Sequence, residues 1–280
     1  MRSKAYITTL SAAACVLAAA FFTAQAAAQT FALLSVDGDS FAAGLTDELQ
    51  TKAEVIDRGL AETAFKAVNV AAPYNMTTAE GMIAGKAIGC DILVLVRART
   101  ERRNSFERGE YFESWAAVYV VSARSGQLID FTLHSADAET ANAAAEALTS
   151  RIPAAAAKVI AAARSAAANE RNNGEIPEME EPPAVGSLAG KGFTPPAPYK
   201  RIKPQTTQLA YLYDIAATVD AEVDLDAGGN VLKVRIKRWA GFGLDEAVSA
   251  AIVEMNWRPA MRGGKALPMR FLLRYNFKRS

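Results

Sequence analysis

Between Val219 and Leu225 the chain alternates strictly: Val219, Ala221, Val223 and Leu225 are apolar, and Asp220, Glu222 and Asp224 lie between them. After Ala227-Gly-Gly-Asn230 the alternation resumes, with Leu232, Val234 and Ile236 set against Lys233, Arg235 and Lys237. Period-two patterning on both sides of a glycine turn predicts a hairpin with one apolar face and one charged face. Closing the loop on Gly228-Gly229 sets Asp224 opposite Lys233, Glu222 opposite Arg235 and Asp220 opposite Lys237, so that every acid meets a base. A slip of one residue would turn the apolar set outward. Downstream, Leu244, Val248, Ala251, Ile252 and Met255 recur at helical spacing over 244–255, with Asp245 and Glu246 in the first turn, where they favour the helix dipole. Asn256-Trp-Arg-Pro-Ala260 ends that helix, Arg262-Gly-Gly-Lys265 reads as a turn, and Met269, Phe271, Leu273, Tyr275 and Phe277 alternate along a last strand. The expected order is β-β-α-β, a three-stranded sheet covered on one face by a helix.

The amino-terminal half has a different texture. Phe31 to Val36 and Asp91 to Arg97 are continuous apolar runs of the kind found in strands buried on both faces. Helical spacing covers 41–51, 60–68 and a segment capped by Thr77 or Thr78 and stopped at Gly89, and Glu54 to Asp57 reads as a short strand. Two further strands, Glu113 to Ala123 and Gln127 to His134, flank a turn at Ser125-Gly126. A long alanine-rich helix is expected from Glu139 to Asn169, kinked near Pro153. Strands alternating with helices, then a hairpin, predict a mixed α/β sheet with helices in two or three layers. The whole chain is therefore expected to be α+β.

Proline separates the halves. Seven of the eleven prolines lie between Asn172 and Pro204, among Glu178, Glu180, Glu181 and several glycines. This composition predicts an extended linker over 172–204, with a reach on the order of 100 Å at full extension. It divides the chain into an α/β unit at 30–171 and a carboxy-terminal unit at 205–280. The first 28 residues stand apart. Arg2 and Lys4 precede an apolar run to Phe22, and Ala24, Ala26 and Ala28 sit at alternate positions suited to signal-peptidase cleavage. Cleaved export is the expectation, and a retained signal anchor is the alternative.

Composition narrows the function. The net charge of +1, with 51% apolar and 22% charged residues, excludes a disordered chain and a nucleic-acid binder driven by gross basicity. The charge is uneven: 30–169 holds 13 basic and 17 acidic residues, and 205–280 holds 11 basic and 8 acidic, with no acid after Glu254. Two cysteines, Cys15 and Cys90, and one histidine, His134, argue against a cysteine/histidine metal cluster or a disulfide scaffold, and no cofactor is expected. Cys90 reads as a small core residue and His134 as structural, since no nucleophile motif accompanies it. Asp37-Gly-Asp39 lacks the lysine and acidic pair that phosphatase chemistry needs. The Asp224 to Gly229 stretch fails as a calcium loop because its twelfth position is Arg235. Nothing in the pattern points to an enzyme.

One set of residues resembles a known family. Ala227-Gly-Gly-Asn-Val231, Gly243-Leu-Asp-Glu-Ala247, Trp257-Arg-Pro-Ala260, Gly264-Lys-Ala-Leu-Pro268 and the closing aromatic strand are similar, in order and spacing, to the C-terminal domain of TonB-family energy transducers, over about 209–277. The proline-rich segment fits the same family. The chain departs from it in its 30–171 unit, which is foreign to the classical transducer, and in two local places. Leu209-Ala-Tyr-Leu-Tyr213 stands where the family has tyrosine-proline, and residues 5–28 contain no histidine of the kind that engages the proton-driven motor. The resemblance implies a periplasmic protein that binds the TonB box of an outer-membrane receptor by β-strand addition, with energy coupling through inner-membrane motor proteins left open. The expected binding edge is the last strand: Met269, Arg270, Phe271, Leu272, Leu273, Arg274 and Tyr275. Arg270, Leu272 and Arg274 would set preference, the two arginines favouring an acidic peptide. The same edge could self-pair in a homodimer. A non-coupling envelope scaffold is the alternative function.

Leu45-Thr-Asp-Glu-Leu49, Glu54-Val-Ile-Asp-Arg58, Ala84-Gly-Lys-Ala-Ile-Gly-Cys-Asp-Ile-Leu-Val-Leu95 and Ala123-Arg-Ser-Gly126 resemble, more loosely, the small α/β domain at the amino end of the TolB translocation protein. They are similar also to the curli-secretion and penicillin-binding-protein activator lipoproteins. This implies envelope scaffolding or partner binding.

Overall fold

A computed structural model describes residues 29–35, 40–172, 179–184 and 190–278. The expected export segment, the Asp37-Gly-Asp39 loop and parts of the proline-rich stretch lie outside these residues.

The amino-terminal half is built on a mixed five-stranded sheet. Its strands are β1 (Thr30–Ser35), β2 (Glu54–Val55), β3 (Ile92–Ser105), β4 (Gly109–Ser122) and β5 (Leu128–Ala138), in the order β2-β1-β3-β4-β5. β1 is parallel to β2 and β3, and the other pairings are antiparallel. The apolar runs predicted β1 and the first half of β3. The hairpin beyond carries no apolar signal, because Arg97 to Glu110 is mostly polar. Cross-strand pairs hold it instead: the Thr100 and Ser114 hydroxyls are hydrogen-bonded at 2.9 Å, and Arg103 donates to Glu113 at 3.0 Å.

On one face lie α1 (Ser40–Gln50), α4 (Ala141–Thr149) and α5 (Ile152–Asn172), which bury Phe41, Leu45, Leu49, Leu148, Ala155 and Val159 against Leu33, Val94 and Val118. The single helix expected over 139–169 is two. Pro153 sits in the first turn of α5, where its missing N–H removes no intrahelical bond, so the break falls just before it. On the other face lie α2 (Arg58–Val68) and α3 (Thr78–Ile88). Asp57 caps α2 through the Leu60 N–H, and a reciprocal Thr77–Glu80 capping box starts α3.

The carboxy-terminal half holds α6 (Gln208–Leu212), β8 (Ala217–Leu225), β9 (Val231–Arg238), α7 (Leu244–Glu254) and β13 (Met269–Phe277). The antiparallel sheet runs β13-β8-β9, so the last strand lies at an edge, as the connectivity predicts. Val219, Ala221, Val223 and Leu225 are fully buried beneath α7, whose Leu244, Val248 and Ile252 are buried as well. Glu222 pairs with Arg235 and Asp224 with Lys233, as the symmetric loop requires. A bulge then shifts Asp220 onto Arg238 in place of Lys237, and a second irregularity at Leu225 accompanies an exposed Leu232. In the turn the Asp226 carboxylate accepts from the Gly228 and Asn230 N–H groups, each at 2.8 Å. Gly229 has φ of 86°, and a Cβ there would lie 2.2 Å from the Trp257 carbonyl oxygen, so only glycine fits.

The proline-rich stretch is not a free tether where it is described. β6 (Phe193–Thr194) pairs with β11 (Ala260–Arg262), which also pairs with β12 (Lys265–Leu267), and β7 (Ala197–Pro198) pairs with β10 (Trp257–Arg258). The two halves also share one core. Trp115, Tyr119 and Phe131 of the five-stranded sheet stack with Tyr213, Trp239 and Phe242, at ring separations from 4.8 to 6.5 Å. The carboxy-terminal half thus completes the third layer over the β3-β4-β5 side of the sheet.

Candidate functional site

The expected partner edge, β13, is defined by what its backbone does. It pairs with β8 along its whole length, from Met269 opposite Leu225 to Phe277 opposite Ala217. The Arg270 N–H points the other way and donates to the Glu180 carbonyl at 2.9 Å. Backbone groups alternate in direction along a strand, so the N–H groups of Leu272, Arg274 and Asn276 also face outward. No described residue accepts from these three. The edge is therefore occupied by the chain's own proline-rich segment at its Arg270 end and open beyond it. An ion pair between Glu180 and Arg262 holds that segment in place.

Side chains of β13 divide by parity. Met269 is buried, and Phe271, Leu273 and Tyr275 are half-buried on the α7 side, where Phe271 packs edge-on against Trp257 at 5.3 Å. Arg270, Leu272 and Arg274 lie on the charged face. Arg270 donates to both Asp224 oxygens at 2.7 and 3.0 Å, and Arg274 to both Asp220 oxygens at 2.7 and 2.9 Å. Asp224 also accepts from Arg235 at 2.7 Å, and Asp220 from Arg238 at 3.3 Å. The central strand is thus a row of acids between two rows of arginines. Burial by itself would raise the carboxyls of Asp220 and Asp224. The guanidinium hydrogen bonds and charges outweigh burial and hold both below the ordinary carboxylate range. Each of these two arginines thus has an aspartate partner within the sheet, while the Arg274 side chain stays 58% exposed. Leu272, on the same face, is 56% exposed.

The residues that depart from the family pattern have a role of their own. The Leu209 to Tyr213 stretch becomes α6 and its cap, and Tyr213 stacks on Trp115 and donates to Glu113 at 2.7 Å. Burial, reinforced by Glu113, pushes the phenol up to about 12 and keeps it a donor. The motif loss therefore coincides with an anchor between the halves.

Cys90 and His134 are the remaining candidates. Burial raises the Cys90 thiol to about 12, so it packs as an apolar group and is a poor nucleophile. Burial, then Lys158 and Arg151, lower the His134 pKa. The His134 ring lies 6.0 Å from the ring of Phe41. Among the described residues no acidic, histidine or cysteine group of three or more could hold a metal ion, and no helix is long and apolar enough to cross a membrane.

Comparison with known proteins agrees with the carboxy-terminal geometry. Residues 208–279 match the family described as Gram-negative bacterial TonB protein C-terminal. No curated protein sequence matches the chain. Similar solved structures include the TonB C-terminal domain of Pseudomonas aeruginosa, 16% identical, covering 36% of this chain and 95% of that one, with a TM-score of 0.27. Two others are a hypothetical protein from Chlamydia trachomatis and a lipoprotein from Neisseria meningitidis. Each is 13% identical with a TM-score of 0.32; they cover 48% and 52% of this chain, and 99% of their own. The hairpin, the covering helix and the closing edge strand lie within residues 208–279, the segment that matches the TonB C-terminal family.

Proposed function

We propose that this is a periplasmic envelope protein that binds an extended peptide of an outer-membrane receptor by strand addition to β13. The observation that carries this reading is the outward row of N–H groups at Leu272, Arg274 and Asn276 on the edge strand of a TonB-family domain. A peptide stopping at Leu272 leaves the Glu180 contact in place, and a longer one must displace it. Main-chain bonds supply affinity, and Leu272 supplies preference. Binding, with no chemical step, is the activity.

The experiment is a titration of receptor peptides against the exported chain. The full chain is required because its two halves share one core. Leu272→Pro removes one outward donor and is expected to abolish binding while circular dichroism stays unchanged. Binding that persists in a folded Leu272→Pro protein would place the partner elsewhere. Sedimentation of the protein alone checks self-pairing through the same edge.

A second reading, an adaptor that does not transmit force, is favoured by one observation. The TonB-family domain is packed onto the amino-terminal sheet, with Trp239 and Phe242 buried among Trp115, Tyr119 and Phe131. A domain so held cannot range toward the outer membrane unless that contact opens.

A further inference from the structure

A second unpaired edge lies on the opposite side of the carboxy-terminal sheet. β9 ends that sheet, β5 ends the five-stranded sheet, and a cleft of about 1080 Å³ separates them. One wall is Gln127 to Phe131 and the other is Lys233 to Ile236, each a run of consecutive residues. A strand presents alternate residues on a face, and consecutive residues only along an edge, so both walls turn backbone N–H and C=O groups toward the cleft. The segment that follows β9 touches both ends of the β5 wall. The Trp239 indole N–H donates to the Gly126 carbonyl at 3.2 Å, and the Gly241 backbone lies so close to Phe131 that a Cβ would come within 2.6 Å of the ring.

Within the cleft one guanidinium nitrogen lacks an acceptor although its charge is paired. Arg235 is 8% exposed; its Nε donates to Glu222 and its Nη2 to Asp224, each at 2.7 Å. Its Nη1 is buried without a hydrogen bond. Such a group destabilises the fold until an acceptor arrives. Lys233 beside it is exposed and makes no ion pair with a described residue. Asp130, Asp245 and Glu246 also line the cleft and disfavour a polyanion. The combination selects a single carboxylate carried on an extended backbone.

We propose that the cleft between β5 and β9 binds an extended segment of a partner protein as a strand joining the two sheets, with one acidic side chain on Arg235. This site is distinct from the β13 edge and does not depend on the function assigned to it.

The test uses the full chain and a fluorescein-labelled, end-blocked heptapeptide, Thr-Val-Thr-Glu-Val-Thr-Val, with its Gln counterpart as control. The Glu peptide is expected to bind roughly tenfold more tightly than the Gln peptide, since a charge-assisted bond is about twice as strong as a neutral one. Hydrogen exchange should slow in both 128–131 and 233–236 and stay unchanged in 270–276. Lys233→Glu, at an exposed position, should weaken the Glu peptide several-fold and leave the Gln peptide nearly unaffected. Equal binding of the two peptides, protection confined to 270–276, or no protection at saturating peptide would each overturn the proposal.

Discussion

The five-stranded and three-stranded sheets start from different patterns and reach burial by different means. In the first, Phe31 to Leu34 and Ile92 to Val96 are continuous apolar runs, and helices or the neighbouring sheet cover both faces. In the second, β8 alternates, yet its charged face is also hidden, with Asp220 and Asp224 each 3% exposed. Arginines from both flanking strands, not apolar side chains, close over that face. A charged alternate set therefore does not imply a solvated face when the neighbouring strands bring enough donors to match the acids.

The largest effect should come where the two sheets meet. Trp239→Ala removes a fully buried indole from the shared core and should cost about 3–5 kcal/mol in urea unfolding. The wild type should unfold in a single transition. Two separate transitions by tryptophan fluorescence and by circular dichroism would show that the sheets are independent.

Next, Asp224→Ala leaves Arg235 and Arg270 without their shared acceptor and should cost about 3 kcal/mol, near the lower end for a broken buried pair. Arg270→Ala added to it should cost less than the sum of the two single changes, which a double-mutant cycle measures. Strict additivity would mean that the ladder acts as separate pairs.

The two sheets should also respond to acid in different windows. Asp220 and Asp224 titrate below their unfolded values. The unfolded chain therefore binds protons first as pH falls, and the stability these groups contribute is present above roughly pH 4 and lost below it. His134, lowered by burial, makes the unfolded state the stronger proton binder from roughly pH 6.5 downward. Asp224→Asn should flatten the lower limb of the stability profile, and His134→Gln the upper limb. A profile unmoved by either change would contradict the assignment. The smallest effect belongs to Glu62→Gln in α2, which loses an (i, i+4) pair with Arg58 at 2.7 Å on a half-exposed helix face and should cost about 0.3–0.5 kcal/mol.

The β8–β9 register was legible because a glycine turn and matched charges leave one pairing in which no acid faces an apolar residue. It holds for Ala221 to Asp224 and fails at Asp220, where a bulge lets Arg238 replace Lys237 and also reach the Asn75 carbonyl at 2.8 Å. That contact belongs to the amino-terminal half, and nothing in the local pattern encodes it. The β13 edge was legible from connectivity alone, because two strands joined as a hairpin leave the third with one neighbour.

Periodicity by itself determined β1, the start of β3, the three-stranded sheet with its covering helix, and the place of the last strand. These depend on contacts close in sequence, or on an apolar face that has only one way to be buried. Tertiary structure alone decided that Arg270 and Arg274 are matched by Asp224 and Asp220, that Glu180 covers the start of the edge, and that Tyr213, Trp239 and Phe242 dock on Trp115 and Tyr119. Each of these joins residues 46 or more positions apart. Apolar or charged side chains so far apart carry no periodic signal of their partner, and which surfaces meet is settled by the shape and charge of whole faces once the strands have paired.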